Sequence, residues 1–203
     1  MAKRQIVTRV SNCVLYDDGL LRVDNVRGSY PHLDRAYAVE EGDKPAFSIT
    51  GLLPKDTHRA AKDLIKKRIE EIIAENKAKV PNDKWFLTDG DKTEKPEKQG
   101  HFAISARESR RPSVRGADKA ILSTDEIVET IYGGCYVTML IRPWFQNHKK
   151  FGKRVNAGLV AVQFVKDGES FSENRISDDD VDDMLDGVDA SNDGGGMDDD
   201  EDM

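Results

Sequence analysis

The chain has 203 residues, 31 of them Lys or Arg and 38 Asp or Glu, for a formal net charge of −7. Thirteen of the acids lie in residues 177–203, which contain no Lys or Arg, so residues 1–176 carry a balance of about +6. No run of eighteen apolar residues occurs, and the opening MAKRQIVTRV lacks the apolar stretch of a signal peptide; the expectation is a cytoplasmic protein with no membrane partner.

Some 176 residues suffice for one sizeable core. In chain order, Ile6 to Tyr16 predicts a strand, Asp17-Asp18-Gly19 a turn and Leu20 to Val26 a second strand, together a β-hairpin. A loop with Gly28, Pro31, Gly42 and Pro45 leads into a strand from Ala46 to Leu53. Pro54-Lys55-Asp56-Thr57 opens the clearest helix, with Asp56 or Thr57 as its cap. Ala61, Leu64, Ile65, Ile69, Ile72 and Ile73 recur there at helical spacing, and Pro81 marks its end. Trp85 to Leu87 reads as extended, Thr88 to Gly100 as a charged loop, and His101 to Arg107 as a strand. Glu108 to Gly116 reads as an irregular basic loop, and Tyr136 to Ile141 and Leu159 to Val165 as central strands.

These elements predict a mainly β fold of six to eight strands with one inserted helix. The closest plan is an OB-like antiparallel Greek-key barrel with its helix between the third and fourth strands; a larger sandwich is the alternative. Residues 1–176 would form this domain and 177–203 a disordered acidic tail.

The segment richest in chemistry is Arg142-Pro143-Trp144-Phe145-Gln146-Asn147-His148-Lys149-Lys150-Phe151-Gly152-Lys153-Arg154. Unpaired bases stack on flat rings such as Trp144, Phe145 and Phe151, and phosphates pair with cations such as Arg142, Lys149, Lys150, Lys153 and Arg154. Duplex DNA hides its base faces, so the combination favours single strands. Arg107, Arg110, Arg111 and Arg115 form a second cationic cluster. Arg27, Tyr30, Lys55 and Arg59 extend the path. A long hairpin loop folded back on the core, and a merely solvated basic loop, are the competing readings of these segments. For Tyr30 and Tyr37, packing and base stacking weigh equally.

Enzymatic patterns are missing. His32, His58, His101 and His148 lie far apart and show no HExxH or HxH spacing, and no phosphate-binding GxxxxGK[ST] loop occurs. Cys13 and Cys135 sit in apolar strand-like runs and read as small buried side chains. No cofactor, metal site or catalytic residue is expected.

Four stretches carry a resemblance: Val26-Arg27-Gly28-Ser29-Tyr30-Pro31; Phe47-Ser48-Ile49 with Leu52-Leu53-Pro54-Lys55-Asp56; Tyr132-Gly133-Gly134-Cys135-Tyr136-Val137; and Ala157-Gly158-Leu159-Val160-Ala161-Val162-Gln163-Phe164-Val165-Lys166-Asp167-Gly168-Glu169. In that order, from about residue 8 to 171, the chain resembles a bacteriophage family once catalogued as a domain of unknown function and understood as OB-fold single-stranded DNA-binding proteins. The resemblance implies a non-enzymatic replication or recombination protein in the host cytoplasm, and it includes an acidic C-terminal tail. Strand annealing is the alternative, with RNA binding or nuclease activity behind it. The acids Asp178, Asp179, Asp180, Asp182, Asp183, Asp198, Asp199, Asp200, Glu201 and Asp202 would compete with the strand for the groove. The apolar spacing of Val181, Met184, Leu185 and Val188 would offer replication or recombination proteins a docking stripe. The chain ends without the terminal aromatic residue that many single-strand-binding tails carry.

Overall fold

The computed structural model describes residues 3–38, 41, 42 and 44–171. The tail positions named above lie outside the described residues, as does the 177–203 segment as a whole. The described chain forms β1 (Ile6–Val10), β2 (Cys13–Tyr16), β3 (Leu21–Tyr37), β4 (Ala46–Pro54), α1 (Arg59–Glu75), β5 (Leu87–Asp89), β6 (His101–Glu108), β7 (Ser113–Arg115), α2 (Thr124–Thr130), β8 (Tyr136–His148) and β9 (Gly152–Lys166).

Five of these strands close a ring. β3 pairs β4, β4 pairs β6, β6 meets β9 in parallel at Ala106↔Ala157, β9 pairs β8, and β8 returns to β3. An order of first, second, third, fifth and fourth strand, with the third and fifth parallel, is the Greek-key barrel of the OB fold. Its interior is apolar: Val23, Val26, Ile49, Ile104, Val137, Met139, Ile141, Leu159 and Val162 are essentially inaccessible. Gly51 is needed at this packing, since a Cβ there would lie 2.6 Å from Met139 Sδ and 3.1 Å from Ile104 Cγ1.

The helices depart from the sequence expectation in place and number. α1 lies between the second and third barrel strands, and it buries Ala61, Leu64, Ile65, Ile69 and Ile72. It packs against β1, β2, β8 and β9. Its N-cap is His58, with no side-chain cap bond, and it stops at Glu75, well before Pro81. The connection from the third to the fourth barrel strand holds instead the seven-residue α2, which opens on a capping box: Glu126 N–H donates to Ser123 Oγ and Ser123 N–H to Glu126 Oε2. The Ser123-Thr124-Asp125-Glu126 signature is present in the sequence, but the helix is too short to show a period.

Four other differences have local causes. The run from Ile6 to Tyr16 is two antiparallel strands, because Asn12 takes φ +59° and turns the chain. The segment around Gly28 and Pro31 is the interior of the long β3, bent by Asn25 and Tyr30 at positive φ. Ser113 to Arg115 forms β7, pairing in parallel with Ala161 to Gln163 of β9. The 88–100 connection is tied down: Asp89 caps a short 3₁₀ turn, and Asp91 accepts from Gly100 N–H at 2.6 Å.

Candidate nucleic-acid interface

Strand register decides which side chains share the outer surface of the barrel. His32 of β3 stands opposite Ser48 of β4, which stands opposite Arg107 of β6. Ala106 and Ala157 point inward as a parallel pair, so Arg107 shares its outward side with Asn156 and Gly158 of β9. Asn156 stands opposite Trp144 of β8. One outward row thus runs His32, Ser48, Arg107, Asn156, Trp144 across five strands, about 19 Å at the usual strand spacing.

Rings stand at both ends of this row. At one end His32 and Tyr37 stack on each other, with ring centroids 4.7 Å apart and planes 14° from parallel, and Tyr37 is half exposed. At the other, Trp144 is 47% exposed. Beyond it the hairpin carries Gln146, bonded to Asn156 at 2.5 Å, and Arg154 opposite Gln146. His148 then stacks on the half-exposed Phe151 at 4.9 Å. Arg154 Nε is buried with no hydrogen-bond partner among the described residues. Between the two ends Ser48, Thr50 and Ser105 line the surface, and Arg107 donates to Lys44 O at 2.8 Å. One carboxylate intrudes, since Glu108 Oε2 lies within 3.3 Å of where a Gly158 Cβ would be.

Alternation divides the thirteen-residue aromatic and cationic segment between two faces. Trp144 and Arg154 point out together, while Phe145, opposite Val155, packs against the buried cluster. Lys153, opposite Asn147, is on the same side of the hairpin as Phe145. Lys149 and Lys150 are at the hairpin tip, with Lys150 Nζ 5.2 Å from the Phe151 ring.

Several other expected contacts have internal partners. Arg27 donates to Gly134 O at 3.3 Å and Glu169 O at 2.5 Å, with its guanidinium 4.3 Å from the Phe171 ring. Lys55 Nζ sits 2.5 Å from Asp89 and 2.6 Å from Asp91. Hydrogen bonding to Asp89 and Asp91 raises its pKa, and bonding to Lys55 holds Asp91 below the ordinary carboxylate range. Arg142 is bound to Asp18 through both the backbone and side-chain oxygens, each at 3.0 Å. Arg111 donates to Asp34 O and to Thr124 Oγ1, and Arg115 to Ser113 Oγ and Lys119 O. Tyr30 is half exposed, but its hydroxyl donates to Glu97 at 2.7 Å and Lys95 lies over its ring. The side chains of Arg59, Arg110, Lys149 and Lys153 have no partner among the described residues.

Sequence reasoning left Tyr37 undecided between packing and stacking and passed over Ser48, Thr50 and Ser105. Strand alternation is the signal that finds them, in Ala46 to Leu53 for Ser48 and Thr50 and in His101 to Arg107 for Ser105. Among the described residues no group of three His, Cys, Asp or Glu side chains is arranged to hold a metal ion, and no helix is long and apolar enough to cross a membrane.

An OB barrel whose outer face alternates rings, cations and hydroxyls defines a class of oligonucleotide-binding modules. The family described as Enterobacter phage Enc34, ssDNA-binding protein, matches residues 21–193, and the chain belongs to that family. Among solved structures, the single-stranded DNA-binding protein from bacteriophage Enc34 in complex with ssDNA is 47% identical, with a TM-score of 0.80 over 85% of this chain and 100% of that one. A C-terminal truncation of the same phage protein is 48% identical, with a TM-score of 0.79 over 84% of this chain and 99% of that one. The single-stranded DNA-binding protein gp2.5 of bacteriophage T7 shares the fold, with a TM-score of 0.52 at 10% identity over 78% of this chain and 97% of that one. Protein p50 of Acyrthosiphon pisum secondary endosymbiont phage 1 is 29% identical over 163 residues, 75% of this chain and 86% of that protein.

Proposed function

We propose that this protein is a non-enzymatic phage single-stranded DNA-binding protein that coats strands exposed during replication or recombination in the host cytoplasm, with little sequence preference. The observation that carries this reading is the likeness, over most of both chains, to the Enc34 protein solved with ssDNA. The surface chemistry agrees with it. Bases stack on Trp144 at one end of the outward row and on the His32 and Tyr37 platform at the other, with Phe151 extending the path. Phosphates meet Arg107, Arg154, Arg110 and the hairpin-tip lysines Lys149 and Lys150, while Lys153 faces the other side of the hairpin. Arg27, Lys55 and Arg142 support the fold around this face rather than touching the strand.

The acidic tail, residues 177–203, competes for the same cations from within the molecule. A coil of that length spans roughly 30 Å, so its effective concentration near the face is high and weak ligands are excluded. A tightly held single strand displaces it and frees the Val181 to Val188 stripe for replication or recombination partners.

The test is fluorescence anisotropy with labelled oligo-dT, oligo-rU and a duplex, on the full chain and on residues 1–176, at two salt concentrations. Oligo-dT should bind most tightly, and removing the tail should strengthen all binding while narrowing the preference for single strands. Absence of oligo-dT binding by both forms would refute the DNA reading; equal affinities of the two forms at low salt would refute tail competition alone.

A further inference from the structure

Exposed aliphatic side chains are confined to few places. Among the described residues they are Ile6 and Val7 on β1, Ile121 and Val128 beside and on α2, and Val160. The first two pairs have opposite electrostatic settings. Residues 1–10 hold Lys3, Arg4 and Arg9 with no acid, Arg4 being paired with Asp18 and Lys3 and Arg9 remaining exposed, while residues 117–134 hold Asp118, Asp125, Glu126 and Glu129 against Lys119 alone. Arg111, which reaches α2 at Thr124, and Arg115, which reaches Lys119, are engaged with internal acceptors.

Shape separates the two patches as well. β1 ends the sheet as an edge strand, and its register slips between Ile6 and Thr8, leaving Val7 62% exposed. The α2 patch is concave: Val128, Ile127 and Ile131 with Pro31 and Leu33 line a groove of about 250 Å³. The sheet path ends on that side at β7, which Ile121 flanks through its bridge to Arg115. On β3 the two sites are separate, since β2 pairs with Leu21 to Val23 whereas the groove begins at Pro31.

We propose that these surfaces join copies of the chain head to tail: the basic edge strand β1 of one copy seats Ile6 and Val7 in the acidic, apolar α2 groove of the next. A contact between two different patches is heterologous, so it extends into a row of copies unless its rotation closes a ring. Neither patch includes His32, Tyr37, Arg107 or Trp144, so the outward row stays open in every copy. On a long strand, the contact makes binding cooperative. The contact itself does not rest on the DNA reading; only this consequence does.

The test uses the full chain with Val7→Glu and Val128→Glu, each at a side chain exposed enough to leave folding intact, which thermal melts verify. In sedimentation velocity without DNA, the wild type should grow in mass with concentration and each variant should stay monomeric. An equal mixture of the two variants should stop at one-to-one dimers, because one retains only the groove and the other only the strand. On oligo-dT long enough for several copies, each variant should lose about tenfold in neighbour cooperativity, with affinity for a one-copy oligonucleotide unchanged. A wild type that stays monomeric, variants that associate like the wild type, or a mixture that forms no dimers would each overturn the contact. Failure of the wild type to bind either oligonucleotide would strike the DNA reading alone, and sedimentation would still decide the contact.

Discussion

Trp144 and Phe145 are adjacent in sequence and opposite in orientation, and their paired substitution by Ala tests the register on which the interface rests. Trp144 is exposed on the outward row and stands opposite Asn156, away from the core. Trp144→Ala therefore removes one stacking platform, worth about 1–3 kcal/mol per base, or roughly 5- to 150-fold in affinity. Stability should change by no more than about 0.5 kcal/mol, as for other surface substitutions. Phe145 packs against the buried cluster while remaining partly accessible. Phe145→Ala should lose about half the cost of a fully buried Phe, near 2 kcal/mol, which lowers Tm by about 4–8 °C in a domain of this size. Its affinity measured well below Tm should stay within about twofold of the wild type. Oligo-dT anisotropy and thermal melts read the two effects, and the salt dependence of binding should be unchanged in both variants because no cation is removed. A loss of affinity from Phe145→Ala with Tm intact, together with an unaffected Trp144→Ala, would refute the assigned faces.

Other outcomes follow from the internal partners of charged and buried groups. Arg27→Met removes two hydrogen bonds and the contact with Phe171 that hold Glu169 to Phe171 against Gly134; Tm should fall by about 4–8 °C for roughly 2 kcal/mol, with one-site oligo-dT affinity nearly unchanged. Gly134→Ala should destabilise the same junction, since φ is +114° and the added Cβ would fall 2.0 Å from Glu169 O, and a lowered melting temperature is the readout. The Asp18 carboxyl is held at about 2, against an ordinary 3.8, chiefly by Arg4 and further by Arg142, with burial opposing. A depressed carboxylate stabilises the fold above its unfolded value and loses that contribution as pH falls through the folded one, so the Arg4→Gln, Arg142→Gln double variant should show a shallower decline of Tm between pH 4 and pH 2 than the wild type. Burial pushes the Cys13 thiol up to about 12 and raises Cys135 as well. Neither should react with a disulfide reagent at pH 8 until denaturant opens the barrel.

Much of the core was legible in spacing and turn chemistry: the apolar positions of α1, the apolar runs Tyr136 to Ile141 and Leu159 to Val165 that lie within β8 and β9, and the Asp17 to Gly19 turn. What spacing hid is of three kinds. Asn12, Asn25 and Tyr30 adopt positive φ, a choice that non-glycine residues do not advertise, so one predicted strand became two and a predicted loop became the middle of β3. β7 and α2 are too short to show a period and depend on tertiary partners. At the interface, composition pointed to the hairpin between β8 and β9, but a list of cations does not say which ones are free. Arg27, Lys55, Arg111 and Arg142 have acceptors distant in sequence, and only the fold brings those together. Tyr37 and the hydroxyls of Ser48, Thr50 and Ser105 are unremarkable as residue types and become candidates through register alone.

Photocrosslinking tests the central claim most directly. A single strand carrying 5-bromodeoxyuridine at scattered positions is bound to the full chain, irradiated and digested, and the adducts are mapped by mass spectrometry. The outward row predicts adducts on Trp144 and Tyr37, with Phe151 next. Adducts confined to residues outside that row, such as those of α1 or α2, would contradict it.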